Sequence, residues 1–329
     1  MKIAIIGCGS IGQRHIKNLL ALKYNSLVAF DIDAKKLAQV TSLHSEIQVT
    51  THISTIWQSH PDVVFITTPT ALHVSYALTA AKRNFHLFIE KPLSHTLAGS
   101  KKLLSIVNKN ELITMVGCNM RFYWAIAKIK EIIHQRKLGI IYFAHIEYGY
   151  YLPFWHPKTN YRLSYSAQKK LGGGVVLDVI HELDYARWIL GDFVGVKSIA
   201  AKISDLSIDT EDTADILLKT KTGTMVSIHL DYLQHIYNRS CKIVGEKGML
   251  TWDINTHKLS FYENATMINK TFSEPESYDL NQMYVDEIKY FLRCVKRKQK
   301  TINDIQYAQE TLRIALLAKK IGLRYGEKI

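Results

Sequence analysis

Six residues near the start of the chain constrain it more than any other stretch. Gly7-Cys8-Gly9-Ser10-Ile11-Gly12 follows a strand-like run at residues 2–6 and precedes a helical pattern reaching about residue 22. Glycines in this order, between a strand and a helix, form a dinucleotide-binding fingerprint. Gly7 permits the tight turn, Gly9 lets the backbone approach a pyrophosphate, and Gly12 lets the helix pack close to the strand. Phosphate then rests on the helix N-terminus, where free N–H groups and the helix dipole favour an anion. Cys8 lies inside this loop, and small size accounts for it better than reactivity does.

A second strand at residues 27–30 ends in Asp31-Ile32-Asp33. An acid about twenty residues beyond the glycines is placed to hydrogen-bond an adenosine ribose. Asp31, at the strand tip, takes that role, while Asp33 is placed to cap the helix starting at Ala34. A carboxylate at position 31 repels a 2′-phosphate, so NAD is expected rather than NADP. Strand-like runs at 47–49, 63–66, 85–89 and 113–116 alternate with helical ones at 53–57, 71–83 and 98–109. Such alternation predicts a doubly wound parallel sheet, an α/β Rossmann domain over residues 1–120. The run at 85–89 delivers Glu90-Lys91-Pro92 to its carboxyl end, where ligands bind in open α/β sheets. A lysine walled by apolar side chains there can exchange protons near neutral pH. An isolated Glu-Lys-Pro is otherwise a surface turn, so its neighbours decide its meaning.

Beyond residue 120 the pattern changes. A helix at 126–136 leads into a long alternating run at 140–151, and a loop and a second helix follow. Further strand-like segments lie at 194–203, 212–218, 224–232, 239–244 and 249–253. Consecutive alternating strands predict a second, α+β domain over residues 121–329, with a large, mostly antiparallel sheet and helices on one face. Amphipathic helices at 283–297 and 304–323 close the chain, the last free to pack back on the first domain.

A chain of 329 residues fits two domains, and 47% hydrophobic with 22% charged residues describes an ordinary folded protein. No apolar run reaches the roughly 18 residues of a membrane helix. The first residues are too short an apolar run for a signal peptide, so a cytoplasmic protein is expected. The four cysteines are scattered without metal or disulfide spacing, and no metal is expected. The net charge of +13 is spread along helices, its densest cluster (Lys296, Arg297, Lys298, Lys300) ending one of them. That favours a phosphate-bearing small molecule over nucleic acid or a membrane as partner.

Several stretches line up with Lys91: the glycine loop, Thr68-Pro69 with His73, residues 116–122 at the domain junction, Tyr161-Arg162, and a glycine-led segment running from Leu171 through Asp178 and His181 to Asp184. In this order, over nearly the whole chain, the set resembles the Gfo/Idh/MocA family. The resemblance implies hydride transfer between a nicotinamide and a hydroxyl-bearing carbon, usually of a sugar, cyclitol or nucleotide sugar. It implies Lys91 beside nicotinamide and substrate, His181 as acid/base on the reacting hydroxyl, and Asp178 orienting substrate and tuning the proton transfer. It also implies cofactor contacts from Ser10, Ile11, Thr67, Thr68, Pro69, His73, Glu90 and Asn119, and dimers or tetramers formed through the open sheet. The physical chemistry agrees: oxidising an alcohol needs a base for the hydroxyl proton, and histidine titrates in the useful range.

Family members more often place the histidine four residues after the aspartate, whereas Asp178 and His181 are three apart. On one continuous helix both spacings share a face. Without the other motifs, Asp178 reads as a helix cap and His181 as a core histidine. Residues 148–165 are unusually aromatic, a composition suited to sugars or nucleobases. Trp155, His156, Tyr161, Arg162 and Tyr165 are therefore candidate substrate contacts, Arg162 for a carboxylate or phosphate, and Arg121 at the domain junction is a further candidate. This stretch is most like relatives from surface-polysaccharide and nonulosonate pathways. A regulator that binds NAD and sugar without chemistry, and a hydride-cycling lyase or glycosidase with tightly held NAD, share the fold and remain open.

Overall fold

Strands buried on both faces read as unbroken apolar runs, and the first half of the chain contains several. The computed structural model describes residues 1–325 apart from positions 156 and 158. The chain divides into two compact units, residues 1–119 with 284–312, and residues 120–283 with 313–329.

In the first unit the elements alternate: β1 (Ile3–Ile6), α1 (Ser10–Ala21), β2 (Leu27–Phe30), α2 (Ala34–Leu43), β3 (Gln48–Thr50), α3 (Ile53–Gln58), β4 (Val63–Ile66), α4 (His73–Ala81), β5 (His86–Glu90), α5 (Ser100–Lys109) and β6 (Thr114–Gly117). The six strands are all parallel, in the order β3-β2-β1-β4-β5-β6. Every residue of β1 and β4 is fully buried, so the sheet is covered on both faces. Order reverses between β1 and β4, the switch point at which such sheets bind ligands.

In the second unit α6 (Trp124–His134) leads into β7 (Ile141–Gly149), and short 3-10 turns follow at Leu152–Phe154, Tyr161–Leu163, Tyr165–Ala167 and Lys169–Leu171. Then come α7 (Val175–Asp178), α8 (His181–Leu190), β8 (Phe193–Ala201), β9 (Thr213–Thr220), β10 (Met225–Asp231), β11 (Asn238–Gly245), β12 (Gly248–Asp253), β13 (Lys258–Glu263) and β14 (Ile268–Ser273). The eight strands run β14-β13-β12-β11-β7-β10-β9-β8, antiparallel except where β7 lies parallel to β10. The last two strands were not expected. The exposed residues of β14 lack the apolar alternation that marks a strand.

Burial alternates along β9 and β10, so one face of this sheet packs inward and the other stays open. Ala214, Ile216, Leu218, Val226, Ile228 and Leu230 point inward, and α7 packs over β9 and β10 while α8 packs over β7.

Two helices complete the chain, α9 (Gln282–Arg297) and α10 (Ile305–Tyr325). The expected division at residue 120 placed this region in the second half, with the last helix free to pack back on the first domain. Residues 301–305 bond the edge of β6. Asn303 accepts from the Val116 N–H at 2.9 Å and donates to the Val116 carbonyl at 2.8 Å, and the Thr301 hydroxyl donates to the Thr114 carbonyl at 2.6 Å. An open strand edge is satisfied in this way. Among the described residues, no helix is long and apolar enough to cross a membrane.

The open face of the second sheet carries an ionic bridge. His229 Nε2 lies 3.2 Å from Asp231 and Nδ1 lies 2.9 Å from Asp215 on the neighbouring strand. Hydrogen bonds to these carboxylates, Asp231 foremost, raise the histidine pKa from 6.5 to about 9. Because folding raises the pKa, the stabilisation is complete below the unfolded value and disappears as pH rises through the folded one. With the imidazole 37% exposed, solvent screening limits it to on the order of 1 kcal/mol. His229→Gln should therefore lower the thermal midpoint near about pH 6 and leave it unchanged near about pH 10. Melting curves showing the same loss at both values would refute the bridge.

Candidate functional site

The first unit supplies a phosphate cradle. Gly7 has φ +102°, and a Cβ there would lie 2.8 Å from the Thr67 backbone. A Cβ on Gly12 would lie 2.0 Å from the Gly7 carbonyl oxygen, so only hydrogen fits. Gly9 differs: nothing lies within 4 Å of the position its Cβ would take. It stands at the N-cap of α1, where no side chain caps the helix and no acid occupies the first turn. The first-turn amides, from Ser10 and Ile11 onward, thus begin beside open space, and the residues present fit a dinucleotide pyrophosphate.

The strand tips around this cradle are held by hydrogen bonds. Asp31 is buried, its Oδ2 accepts the Cys8 N–H at 2.8 Å and its Oδ1 the Asp33 N–H at 2.9 Å. Lys36 Nζ lies 3.7 Å from the same carboxylate. Asp33 caps α2 by accepting the Lys35 N–H. Burial, with Asp31's charge adding to it, pushes the Cys8 thiol up to about 12, which removes it as a nucleophile. The Thr67 hydroxyl donates to the Gly7 carbonyl at 2.6 Å. The Thr68 hydroxyl, one residue further and leading into Pro69, is buried and has no partner among the described residues.

Two expected cofactor ligands turn out to be fasteners. Both ring nitrogens of His73 lie 2.8 Å from backbone carbonyls, Nδ1 from that of Pro92 and Nε2 from that of Thr68, and a neutral ring donates to one of them. Burial pushes the pKa of this ring below the ordinary imidazole range. His73 therefore joins the end of β4 to the Lys91-Pro92 turn and offers the cofactor no ring nitrogen. Glu90 is buried and bound to His15 of α1 at 2.6 Å, while its other oxygen accepts the Lys91 N–H at 3.2 Å. Lys91 leaves β5 directly after that carboxylate and is half-buried. Asn119, also buried, begins the 3-10 turn that closes this unit's first segment.

In the second unit Asp178 occupies the end of α7 and His181 opens α8. Treating both as one helix was wrong, because Val179 (φ −101°, ψ 36°) interrupts it. Both Val179 and Ile180 are buried. Asp178 is a buried carboxylate and not a cap. Its Oδ1 accepts the Tyr165 hydroxyl and its Oδ2 accepts the Tyr232 hydroxyl at 3.2 Å. Hydrogen bonds to a buried charge are worth about 1.5–3 kcal/mol each. Burial, reinforced by the Asp178 charge, lifts the Tyr232 phenol well above its ordinary range and keeps it a donor.

The aromatic stretch is only partly brought together. Trp155 meets Tyr232 edge-on at 5.3 Å and donates its indole N–H to the Tyr150 carbonyl, so it backs the Asp178 partner. Tyr161 accepts the Ser207 N–H at 3.2 Å, and Arg162, exposed, lies over the Tyr161 ring. His156 lies outside the described residues. Arg121 corrects the expectation of a substrate contact. Its side chain is wholly buried, and Asp184 grips it by two bonds of 2.7 and 2.8 Å. Tyr232, which holds Asp178, and His15, which holds Glu90, were both missed. His15 falls three residues after Gly12 on α1, a spacing that sequence reading had available. Tyr232 follows a strand end and carries no such signal. Among the described residues, no group of three or more His, Cys, Asp or Glu is placed to hold a metal ion.

Comparison with known proteins gives the same division of labour. Residues 1–118 match the oxidoreductase family with an NAD-binding Rossmann fold, and residues 126–251 match the Gfo/Idh/MocA C-terminal domain. The myo-inositol 2-dehydrogenase of Thermotoga maritima is 27% identical over 334 residues, covering 97% of this chain and 96% of that one. Levoglucosan dehydrogenase in complex with NADH and levoglucosan superposes with a TM-score of 0.89 at 19% identity, over 98% of this chain and 97% of that one. UDP-N-acetylglucosamine 3-dehydrogenase from Acidithiobacillus ferrooxidans superposes at 0.83, with 19% identity and 99% of each chain covered. At these identities the two structures establish a shared fold.

The cradle makes a direct prediction. Gly12→Ala should cost about 1–3 kcal/mol through forced backbone movement and abolish measurable dinucleotide binding. Thermal melts and calorimetric titration check both, and unimpaired binding would show that the close approach does not matter.

Proposed function

Because the chain belongs to the Gfo/Idh/MocA family, we propose that it is an NAD-dependent oxidoreductase acting on a hydroxyl-bearing carbon of a sugar, cyclitol or nucleotide sugar. The observation supporting this most is the Asp178 carboxylate, buried and held by two phenols three residues before His181. A protein that only senses a nucleotide has no need of a proton-transfer pair, whereas alcohol oxidation does. The relatives named above, an inositol, an anhydrosugar and a nucleotide-sugar dehydrogenase by their descriptions, span the substrate classes considered.

NAD bound at the glycine cradle supplies the hydride acceptor or donor. In this reading the α1 amides hold its pyrophosphate, and Asp31 accepts from the adenosine ribose, disfavouring a 2′-phosphate. Thr68, Pro69 and Asn119 line the cofactor, and the unclaimed Thr68 hydroxyl is a ready hydrogen-bond partner. His181 takes the proton from the substrate hydroxyl on oxidation and returns it on reduction. Asp178 and Lys91 orient the hydroxyl and tune that proton transfer, a carboxylate raising and an ammonium lowering the imidazole pKa. Tyr161, Arg162 and Tyr165 contact the substrate. Arg121, His73 and Glu90 act through the side chains and turns they hold.

A cytoplasmic homo-oligomer completes the proposal. The open face of the second sheet carries exposed Leu217, Met225 and Ile199 and a cavity of about 410 Å³. An uncovered sheet face of this kind suits a second copy of the chain. Light scattering after gel filtration should report a dimer or tetramer, and Leu217→Asp should shift it towards monomer. A monomeric wild-type protein would exclude this part.

The reaction is tested by following nicotinamide absorbance over a panel of polyols, hexoses and nucleotide sugars. A substrate should reduce NAD faster than NADP, and His181→Ala and Lys91→Ala should each lower kcat by about 10²–10⁴-fold. Full turnover by His181→Ala would remove it as the base. NAD binding without any absorbance change would favour a sensor or a hydride-cycling enzyme.

A further inference from the structure

Beneath the glycine turn that precedes α7 lies a buried ion pair. Glu211 and Lys319 of α10 meet at 2.8 Å, with 1% and 13% of their side chains exposed. Each partner also holds backbone. The Lys319 ammonium donates to the Gly173 carbonyl at 3.1 Å. The Glu211 carboxylate accepts the Val176 N–H at 3.4 Å, and its main-chain carbonyl accepts the Val175 N–H at 3.2 Å. A Cβ on Gly174 would lie 2.4 Å from the Glu211 carboxylate, so the turn rests directly on it.

The same segment reaches the catalytic carboxylate from two further sides. One residue on, the Asp212 carbonyl accepts the Tyr232 N–H at 2.8 Å, and the Tyr232 hydroxyl donates to Asp178. On the other side, Gly173 lies so close to the Tyr165 carbonyl that a Cβ would come within 2.3 Å of it, and Tyr165 is the second donor to Asp178. The helix bearing Lys319 is itself seated, since Gly322 packs against Ala200 of β8 where a Cβ would clash at 2.7 Å.

We propose that Glu211 and Lys319 are positioning residues for the reaction, their ion pair fixing the Gly173-Gly174 turn and, through α7 and Tyr232, the carboxylate of Asp178. The inference rests on Asp178 belonging to the catalytic set. An ion pair out of water costs desolvation on both sides, and hydrophobic replacements of similar volume are often as stable. Stability alone therefore does not account for it. Misplacing a reacting group by about 1 Å can cost about a hundredfold in rate.

The variants are Lys319→Met, Lys319→Arg and Glu211→Gln in the full chain. Lys319→Met should lower kcat by about tenfold, leave NAD affinity unchanged, and speed amide exchange at residues 172–181 by a similar factor. Lys319→Arg should recover most of both, since the cation and its donors return. Glu211→Gln should resemble Lys319→Met. Wild-type kcat with unchanged exchange in Lys319→Met overturns the proposal. So does a loss that tracks the melting temperature and that arginine does not recover. If the wild type oxidises no polyol or sugar, the assigned reaction fails and exchange alone decides: faster exchange at 172–181 retains the positioning role and unchanged exchange rejects it.

Discussion

The carbonyl of Gly7 approaches Gly12 so closely that a side chain there would sit 2.0 Å from its oxygen. Much of the first unit follows from that contact. It sets α1 tight against β1, with the helix N-terminus beside the open position at Gly9. The surrounding bonds lock the ends of neighbouring strands to the loop: Cys8 to Asp31 beyond β2, and Thr67 beyond β4 to the Gly7 carbonyl. One turn further along α1, His15 binds Glu90, whose second oxygen accepts the Lys91 N–H. The helix whose N-terminus lies beside that open position thus also sets where β5 releases its lysine. His73 secures that turn from the β4 side.

The second unit solves a different problem, that of keeping a carboxylate charged away from water. An isolated buried charge is costly unless hydrogen bonds replace its hydration. Tyr165 and Tyr232 provide them at Asp178, from a 3-10 turn and from the end of a sheet strand respectively. Other buried charges here follow the same rule, Arg121 with Asp184 and Arg239 with Glu182. These pairs hold α8 to the segment before α6 and to β11, so the histidine that opens α8 sits on a braced element.

The first unit was readable because its signals are local. Glycine spacing, apolar runs and strand-tip acids each depend on neighbours in the chain, and the alternation alone predicted a parallel sheet. The second unit was readable in class but not in detail. Strand β14 lacks apolar alternation because it lies at a sheet edge with exposed residues. The pairing of Arg121 with Asp184 depends on a partner 63 residues away. The Glu211–Lys319 pair spans more than a hundred positions, and neither residue stands in a motif. Helical spacing of Asp178 and His181 misled because periodicity presumes an unbroken helix, and the helix is interrupted at Val179.

Hydride transfer itself can be watched most directly with isotopes. Polyols and sugars deuterated at carbon would be incubated with the protein and NAD, and the nicotinamide product analysed by mass spectrometry and NMR. Oxidation through His181 and Lys91 predicts deuterium on one face of the nicotinamide ring, with no exchange into solvent, and label appearing about 10²–10⁴-fold more slowly in the His181→Ala variant. Product formed with its deuterium lost to water, or no deuterated nicotinamide from any member of the panel, would contradict direct transfer from a hydroxyl-bearing carbon to NAD.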